Sequence, residues 1–207
     1  MIDLLVIGDS ISADCRKYLP DYVNENIQIH HKKGINEAYK NLDIAVGANN
    51  GDSSTVLEYL RRLDANQILK YDYCIFNCGL HDVKRDSQQD FVLQVGEELY
   101  EANLHEIIGL LNKNKIKSLW INSTPSYRER YSASDFVRFN EDVIRYNQIA
   151  GNVMQEHNIK IIDLYHFTLS LKLSGDALFR DHTHFQEEVI RLQAAYIAGA
   201  VNLFVSE

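Results

Sequence analysis

The sequence lacks the features that mark several classes of protein. Basic residues are outnumbered, with 21 Lys and Arg against 29 Asp and Glu and a formal net charge of -8. Because phosphate recognition needs a basic surface, we expect no nucleic-acid partner. No internal repeat and no Pro/Gly/Ser-rich linker divides the 207 residues. We therefore expect one domain over residues 1–207, which is long enough to bury a core.

Cysteine is also scarce, and long apolar runs are missing. Cys15, Cys74 and Cys78 are odd in number and include no close pair, so they do not indicate a disulfide framework. A reducing compartment is the simpler interpretation. The apolar run at residues 4–7 is short and follows the acidic Asp3, which indicates a strand rather than a signal peptide. Since no stretch approaches the ~20 apolar residues of a spanning helix, we expect a soluble, cytoplasmic protein with no membrane partner.

What the sequence does contain is an alternation of short apolar runs and longer helical patterns. We predict strands at residues 4–7, 43–46, 73–77, 118–122 and 159–164, with 27–30 as a rival or an addition to the weak second run. Helices are predicted at residues 55–63, 91–111, 136–157 and after His184, the first of them capped by Ser53 or Ser54. Continuously apolar strands are typical of a parallel sheet covered on both faces, so the alternation predicts a doubly wound α/β sandwich.

Apolar residues at three- and four-residue steps predict which sides of the long helices are buried. In the helix at residues 91–111 these are Val95, Leu99, Ile107, Leu110 and Leu111. In the last helix they are Val189, Leu192, Tyr196, Gly199 and Leu203.

In such a fold, ligands bind at the carboxyl ends of the strands. Ser10 follows the first strand and opens a helix, where backbone N–H groups favour negative charge. A serine hydroxyl is unreactive unless a base takes its proton, and that base is usually a histidine oriented by a carboxylate. Asp181 and His184 lie three residues apart on one loop, so a single short turn can supply both groups.

Four short blocks in order resemble those of the SGNH (GDSL-type) hydrolases, and the resemblance covers nearly the whole chain. The blocks are Gly8-Asp9-Ser10, the glycine Gly51 after the second main strand, Gly79-Leu80-His81-Asp82, and Asp181 to His184. The resemblance implies a three-layer α/β/α sandwich with a five-stranded parallel sheet, which is flavodoxin-like. It implies no metal and no organic cofactor.

The same resemblance implies a catalytic triad and an oxyanion hole. Ser10 is the nucleophile, His184 its general base, and Asp181 orients the base. The oxyanion donors are the backbone N–H groups of Ser10 and Gly51 and the side chain of His81. The expected activity is that of an esterase, a serine acyl-ester hydrolase that forms an acyl-enzyme. Its expected partner is a small-molecule ester such as an O-acetyl group on a carbohydrate.

Two residues depart from the family pattern. His81 stands where the family has asparagine, and a histidine donates one N–H when neutral and two when protonated. We therefore expect its donor role to depend on pH near neutrality. Phe185 stands where proline is common, a minor change at the entry to the last helix. We expect Asp82 to brace this loop by hydrogen bonds, and His182 to be a bystander in the pocket wall.

Other interpretations of these residues remain open. An acyltransferase uses the same triad, and a catalytically weak sugar- or acyl-binding module keeps the same pocket. A metal-dependent hydrolase would use Asp181, His182 and His184 as ligands, with the distant His81 completing the site. A further set of residues after the fourth strand forms either the pocket rim or a solvated loop: Tyr127, Arg128, Arg130 and Tyr131.

Overall fold

The computed structural model describes residues 1–86, 90–127 and 136–206. In chain order its elements are β1 (Ile2–Ile7), α1 (Ser10–Cys15), α2 (Leu19–Tyr22), β2 (Ile27–His31), α3 (Ile35–Ala38), α4 (Ser53–Ala65), β3 (Tyr73–Phe76), β4 (Arg85–Asp86), α5 (Glu97–Lys113), β5 (Lys117–Ile121), β6 (Phe136–Val137), α6 (Asn140–Glu156), β7 (Lys160–Ile162), α7 (Leu164–Ser170), a 3₁₀ turn at Gly175–Ala177, and α8 (Glu187–Val205).

The five longer strands form one parallel sheet in the order β2-β1-β3-β5-β7. Helices α4, α5 and α6 pack together on one face, whereas α1, α2 and α7 pack with α8 on the other. The predicted α/β/α sandwich with a five-stranded parallel sheet is therefore confirmed. The strand order reverses at β1, because β2 is added on one side of β1 and β3, β5 and β7 are added on the other. Such a switch point opens a crevice at the carboxyl ends of the strands.

Burial explains why the central strands form where the apolar runs lie. All four residues of β3 are buried, and so are the last four of β1. The second predicted strand, at residues 43–46, is wrong, and its rival at 27–30 is the strand that forms. Ile44 and Val46 are about half exposed, and the Asn49 side-chain amide donates to the Leu42 and Ile44 carbonyl oxygens at 2.8 and 3.1 Å. These bonds hold the segment as a loop.

Two predicted helices begin later than expected, because the residues predicted to start them pair with the segment at residues 82–86 instead. The α5 helix begins at Glu97 rather than at residue 91. Residues 92–95 run alongside residues 82–86, and three backbone hydrogen bonds join the two segments. The α6 helix begins at Asn140 rather than at 136, since β6 pairs antiparallel with β4. The resulting two-stranded ribbon brings Lys84 and Arg138 next to the carboxyl end of the sheet. The α4 cap is Asp52, not Ser53 or Ser54.

The buried side of the last helix is rotated from the predicted one. Val189 is buried as expected, but Leu192, Tyr196 and Leu203 are exposed, as is Leu99 in α5. The side chains of α8 that face the core are Val189, Ile190, Gln193, Ala194, Ile197, Ala198 and Val201. Small alanines allow close packing, and the buried Gln193 amide donates to Thr168 Oγ1 at 3.0 Å. The spacing of hydrophobic residues reveals neither the inward-facing alanines nor the buried glutamine.

Helix α8 also corrects the expectation that no segment is apolar enough to cross a membrane. By length and composition alone, Glu187–Val205 meets that criterion, and no other helix in the described part of the chain does. In the structure its buried face packs against α1, α2 and α7. The three cysteines are free and buried.

Candidate active site

Ser10 lies at the first position of α1, directly after the turn that ends β1. Asp9 caps this helix by accepting a hydrogen bond from the Ile11 N–H at 2.9 Å. Asn50 fixes the turn from the other side, because both its backbone and side-chain nitrogens donate to the Gly8 carbonyl oxygen at 3.0 and 3.2 Å. The Ser10 hydroxyl is thereby held at the switch point of the sheet, and the residue is almost fully buried.

Ser10, His184 and Asp181 form a continuous hydrogen-bonded chain. His184 Nε2 lies 2.8 Å from Ser10 Oγ, and His184 Nδ1 lies 2.8 Å from Asp181 Oδ2. The second carboxylate oxygen, Oδ1, accepts from the backbone N–H groups of Thr183 and His184, both at 2.8 Å. These two backbone hydrogen bonds orient the Asp181 carboxylate independently of its bond to the imidazole. The arrangement is that of a nucleophile, a base and an orienting group.

Asp181 keeps its negative charge beside the imidazole. Partial burial raises its pKa, but the hydrogen bond and charge of His184 and the two backbone N–H donors outweigh burial and hold that pKa below the ordinary value. An ionised carboxylate on Nδ1 selects the tautomer whose Nε2 is free to accept the serine proton.

His81 lies on the loop after β3 and is almost completely buried. Burial lowers its pKa well below the ordinary value, and the positive charges of Lys84 and Arg138 lower it further. This direction favours a neutral imidazole near pH 7, and it argues against the expected change of its donor role with pH near neutrality. Its Nε2 is buried and makes no hydrogen bond within the described part of the chain.

The loop carrying Gly51 lies against the His81 side chain. Gly51 has φ +67°, and a Cβ at this position would lie 2.3 Å from the Ala45 Cβ and 3.8 Å from His81 Nδ1. Only glycine therefore fits between them. The Gly51 N–H donates to Asn49 Oδ1 at 2.9 Å, so this predicted oxyanion donor has an acceptor within the protein. Its role stays a prediction.

Asp82 joins these two loops, as expected of a bracing residue. Its carboxyl oxygens accept from the Ser53 backbone N–H at 2.9 and 3.1 Å, at the start of α4. The Val95 N–H also donates to the Asp82 carbonyl oxygen. The loop after Gly51 and the loop carrying His81 therefore share one buried carboxyl group.

A cluster of ionisable side chains beside the site was missed by sequence reasoning. Its members are Asp43, Lys84, Arg138 and His182. His182 Nε2 lies 2.9 Å from Arg138 Nη1 and 3.5 Å from Asp43 Oδ1, so His182 is not a bystander. No local pattern marks Arg138, because it meets partners 44 to 95 residues away in sequence.

Tyr127 is the described member of the predicted rim. Its backbone N–H donates to the His182 carbonyl oxygen at 2.8 Å, and its ring stacks on Phe179 with 5.6 Å between centroids. Arg128, Arg130 and Tyr131 lie outside the described residues. Within the described ranges, no three His, Cys, Asp or Glu side chains converge as metal ligands.

Comparison with known proteins connects this geometry to ester hydrolysis. Residues 6–191 match the model of the GDSL-like lipase/acylhydrolase family. Among solved structures, the lipase/acylhydrolase from Enterococcus faecalis is similar, with TM-score 0.67, 17% identity, and coverage of 99% of this chain and 97% of that one. No curated protein sequence matches the chain.

Two further similar structures carry names that refer to carbohydrate esters. An acetyl xylan esterase, AlAXEase, superposes with TM-score 0.66 and 19% identity over 97% of this chain and 100% of that one. A carbohydrate acetylesterase from Sinorhizobium meliloti superposes with TM-score 0.65 and 13% identity over 99% of this chain and 100% of that one. At these identities the likeness establishes a shared fold.

The buried Asp82 should make stability fall with rising pH. Burial raises its pKa from 3.8 to about 7, against the opposing Ser53 hydrogen bonds. Between these values the folded state holds a proton that the unfolded state has released, so this contribution is complete below pH ~4 and is lost as pH rises through the folded pKa. Asp82→Asn carries no such charge. We expect its free energy of unfolding to rise relative to wild type across this interval, measured by urea denaturation; a pH-independent difference would contradict the assignment.

Proposed function

We propose that this chain, which belongs to the GDSL-like lipase/acylhydrolase family and is an ester hydrolase, cleaves short-chain acyl esters. The proposed mechanism is a serine mechanism with Ser10 as nucleophile. One observation carries the proposal: His184 contacts Ser10 Oγ through one ring nitrogen and Asp181 through the other, at 2.8 Å each. We propose the acetyl ester of a carbohydrate as the substrate class.

In the proposed reaction, Ser10 Oγ attacks the ester carbonyl carbon while His184 Nε2 takes the hydroxyl proton. The tetrahedral intermediate then expels the alcohol, which receives that proton from His184, and an acyl-enzyme remains. A water molecule, deprotonated by the same nitrogen, attacks the acyl carbon; the bond from that carbon to Ser10 Oγ then breaks, His184 returns the proton to Ser10 Oγ, and the acid is released. Asp181 stabilises the imidazolium that exists between the two transfers.

The oxyanion requires donors close to Ser10. The Ser10 N–H is the first of helix α1 and has no intrahelical partner, so it is free to donate to the developing charge. His81 adds a neutral ring N–H, and Gly51 adds a backbone N–H on the loop that touches His81.

The acyl group that fits this site is short. The side chains of Ser10, His81 and His184 are almost completely buried. Burial of these three side chains leaves little free space around the nucleophile, which supports an acetyl-sized group.

The proposed alcohol is a carbohydrate. Two of the similar structures are an acetyl xylan esterase and a carbohydrate acetylesterase. In this chain, the loop that leads to Gly51 exposes Tyr39, whose hydroxyl donates to the Ala13 carbonyl oxygen at 3.2 Å on α1. An exposed aromatic ring beside the nucleophile helix offers an apolar face and a polar edge, which is a suitable surface for a sugar.

Substitution of the triad tests the mechanism. We expect Ser10→Ala and His184→Ala each to lower kcat for p-nitrophenyl acetate by ~10⁴-fold or more, and Asp181→Asn by ~10²–10⁴-fold. His166→Ala is the matched control, because His166 Nδ1 also lies 2.8 Å from an aspartate three residues earlier, Asp163, at an exposed position. Its activity should equal that of wild type.

The same assay separates the competing mechanisms. Acid should be released without an added acceptor, whereas an acyltransferase would need a sugar hydroxyl. Chelators should leave the rate unchanged, and an organophosphonate should label one residue, Ser10, stoichiometrically. Full activity in Ser10→Ala, or labelling of a different residue, would overturn the proposal.

His81 should act as a neutral donor. Replacing it with the family's asparagine keeps one neutral N–H, so we expect kcat/KM of His81→Asn to stay within about tenfold of wild type, whereas His81→Ala should lose ~10²–10³-fold. Because the pKa of His81 lies well below neutrality, His81→Asn should leave the shape of the pH–rate profile between pH 6 and 9 unchanged. A profile that loses its dependence on pH in this variant would contradict the neutral state.

The short acyl site should show in chain-length preference. We expect kcat/KM for p-nitrophenyl acetate to exceed that for p-nitrophenyl octanoate by ~10²-fold or more, because the longer chain leaves apolar carbons without a pocket. Initial rates below the micelle concentration of the octanoate measure the ratio. Equal values for the two esters would show that an acyl channel exists.

A further inference from the structure

We propose that Arg138 is a positioning residue of the esterase reaction, whose guanidinium fixes the loop carrying His81 against the loop carrying His184. The inference rests on the proposed function, since it assigns a task within that reaction. It concerns a residue remote in sequence from all four blocks of the triad and oxyanion hole.

Arg138 is fully buried and connects both catalytic loops directly. Its Nε donates to the Leu80 carbonyl oxygen at 2.6 Å, and its Nη1 donates to Thr183 Oγ1 at 3.1 Å. Leu80 precedes His81 in sequence, and Thr183 precedes His184. One rigid group therefore touches the residue before the oxyanion donor and the residue before the base.

The charge of Arg138 is balanced within the same network. Asp43 Oδ1 accepts from both Nη1 and Nη2 at 3.2 Å, and His182 Nε2 lies 2.9 Å from Nη1. The Phe136 ring covers the guanidinium, with 4.9 Å from Cζ to the ring centroid. Lys84 reaches the Asp43 backbone oxygen and lies over the same ring. The loop that leads to Gly51 is thus held by the same cluster.

The geometry requires an arginine and not only a positive charge. A guanidinium is planar and presents five donors at fixed angles, so it can serve Leu80, Thr183 and Asp43 together. A lysine ammonium in this place keeps the charge but cannot span acceptors on three loops. If the residue only filled space, an apolar side chain would serve as well or better, because a buried ion pair is often no more stabilising than well-packed hydrophobic residues.

Loss of this clamp should affect the chemical step more than binding. Displacement of a catalytic group by ~1 Å can cost about 10²-fold in rate. We therefore expect Arg138→Lys to lower kcat by ~10²-fold while KM changes less than about threefold. Thr183→Val removes a single clamp bond without changing shape, so its kcat should fall by ~5–10-fold.

Arg85→Lys is the matched control. Arg85 lies on the same ribbon, donates through two nitrogens to Asp142 at 2.7 and 2.9 Å, and donates to the Phe91 carbonyl oxygen at 2.9 Å. Among the described residues, its bonds reach no catalytic loop. We expect this variant to keep its kcat within about twofold, because its partners Asp142 and Phe91 do not belong to a catalytic loop. Thermal unfolding of both variants shows whether any loss of rate follows loss of folded protein.

Rescue by a small guanidinium completes the test. Added guanidinium or methylguanidinium should restore at least tenfold of the lost kcat in Arg138→Ala, and should speed Ser10 labelling by an organophosphonate, without a matching change in the melting temperature. The inference is overturned if Arg138→Lys and Arg85→Lys have the same kcat, or if rates follow melting temperature alone. Should Arg138→Ala not fold, Arg138→Lys and Thr183→Val decide the matter. Ser10→Ala with wild-type activity would instead overturn the proposed function.

Discussion

The hydrogen bond between Ser10 Oγ and His184 Nε2 is the contact on which the arrangement of the site depends. It joins residues 174 positions apart in sequence, at 2.8 Å, with both side chains buried. A flexible chain would spend considerable entropy to bring such distant groups together. Here the parallel sheet reduces that entropy loss, because it holds the carboxyl ends of β1 and β3 side by side. The turn from Asp181 to His184 then needs only to dock against that edge, and Arg138 and Tyr127 hold it there.

Burial divides the carboxyl groups around the site into two kinds. Asp43 and Asp181 are partly exposed and paired, and their partners outweigh the effect of burial, so their pKa values fall below the ordinary value. Asp9 and Asp82 are fully buried, and desolvation raises their pKa values. The shifts therefore favour the charged form of Asp43 and Asp181 and the protonated form of Asp9 and Asp82. In the proposed mechanism, reduced negative charge beside the Ser10 turn and the His81 loop favours an oxyanion there.

Much of the fold could be predicted from sequence, since apolar runs are local patterns, and the residues proposed as the triad stand in short blocks that resemble those of the family. Continuous apolar runs mark β1, β3 and β5 because these strands are covered on both faces. The segment at residues 43–46 defeated the same reasoning, because the amide of Asn49 holds it in a loop that no run of hydropathy reveals. The face of α8 was misplaced for a related reason: alanines and a buried Gln193 pack inward, while Leu192 and Leu203 face outward. Arg138 carries no local signal at all, because its task is defined only by loops that meet in three dimensions.

The bond from the Gly51 N–H to Asn49 Oδ1 bears on how the oxyanion donors are prepared. A buried N–H without an acceptor costs free energy, so a donor kept for a transition state needs a temporary partner. An amide oxygen is a neutral acceptor, whereas an oxyanion is charged and forms a bond about twice as strong. In the proposed reaction, the Gly51 N–H therefore forms a stronger hydrogen bond to the oxyanion than to Asn49. It forms no such stronger bond to the uncharged carbonyl oxygen of the ester. Within that proposed reaction, the hydrogen bond to Asn49 favours the transition state over the bound ester, because the bond that replaces it strengthens only when the carbonyl oxygen becomes negative.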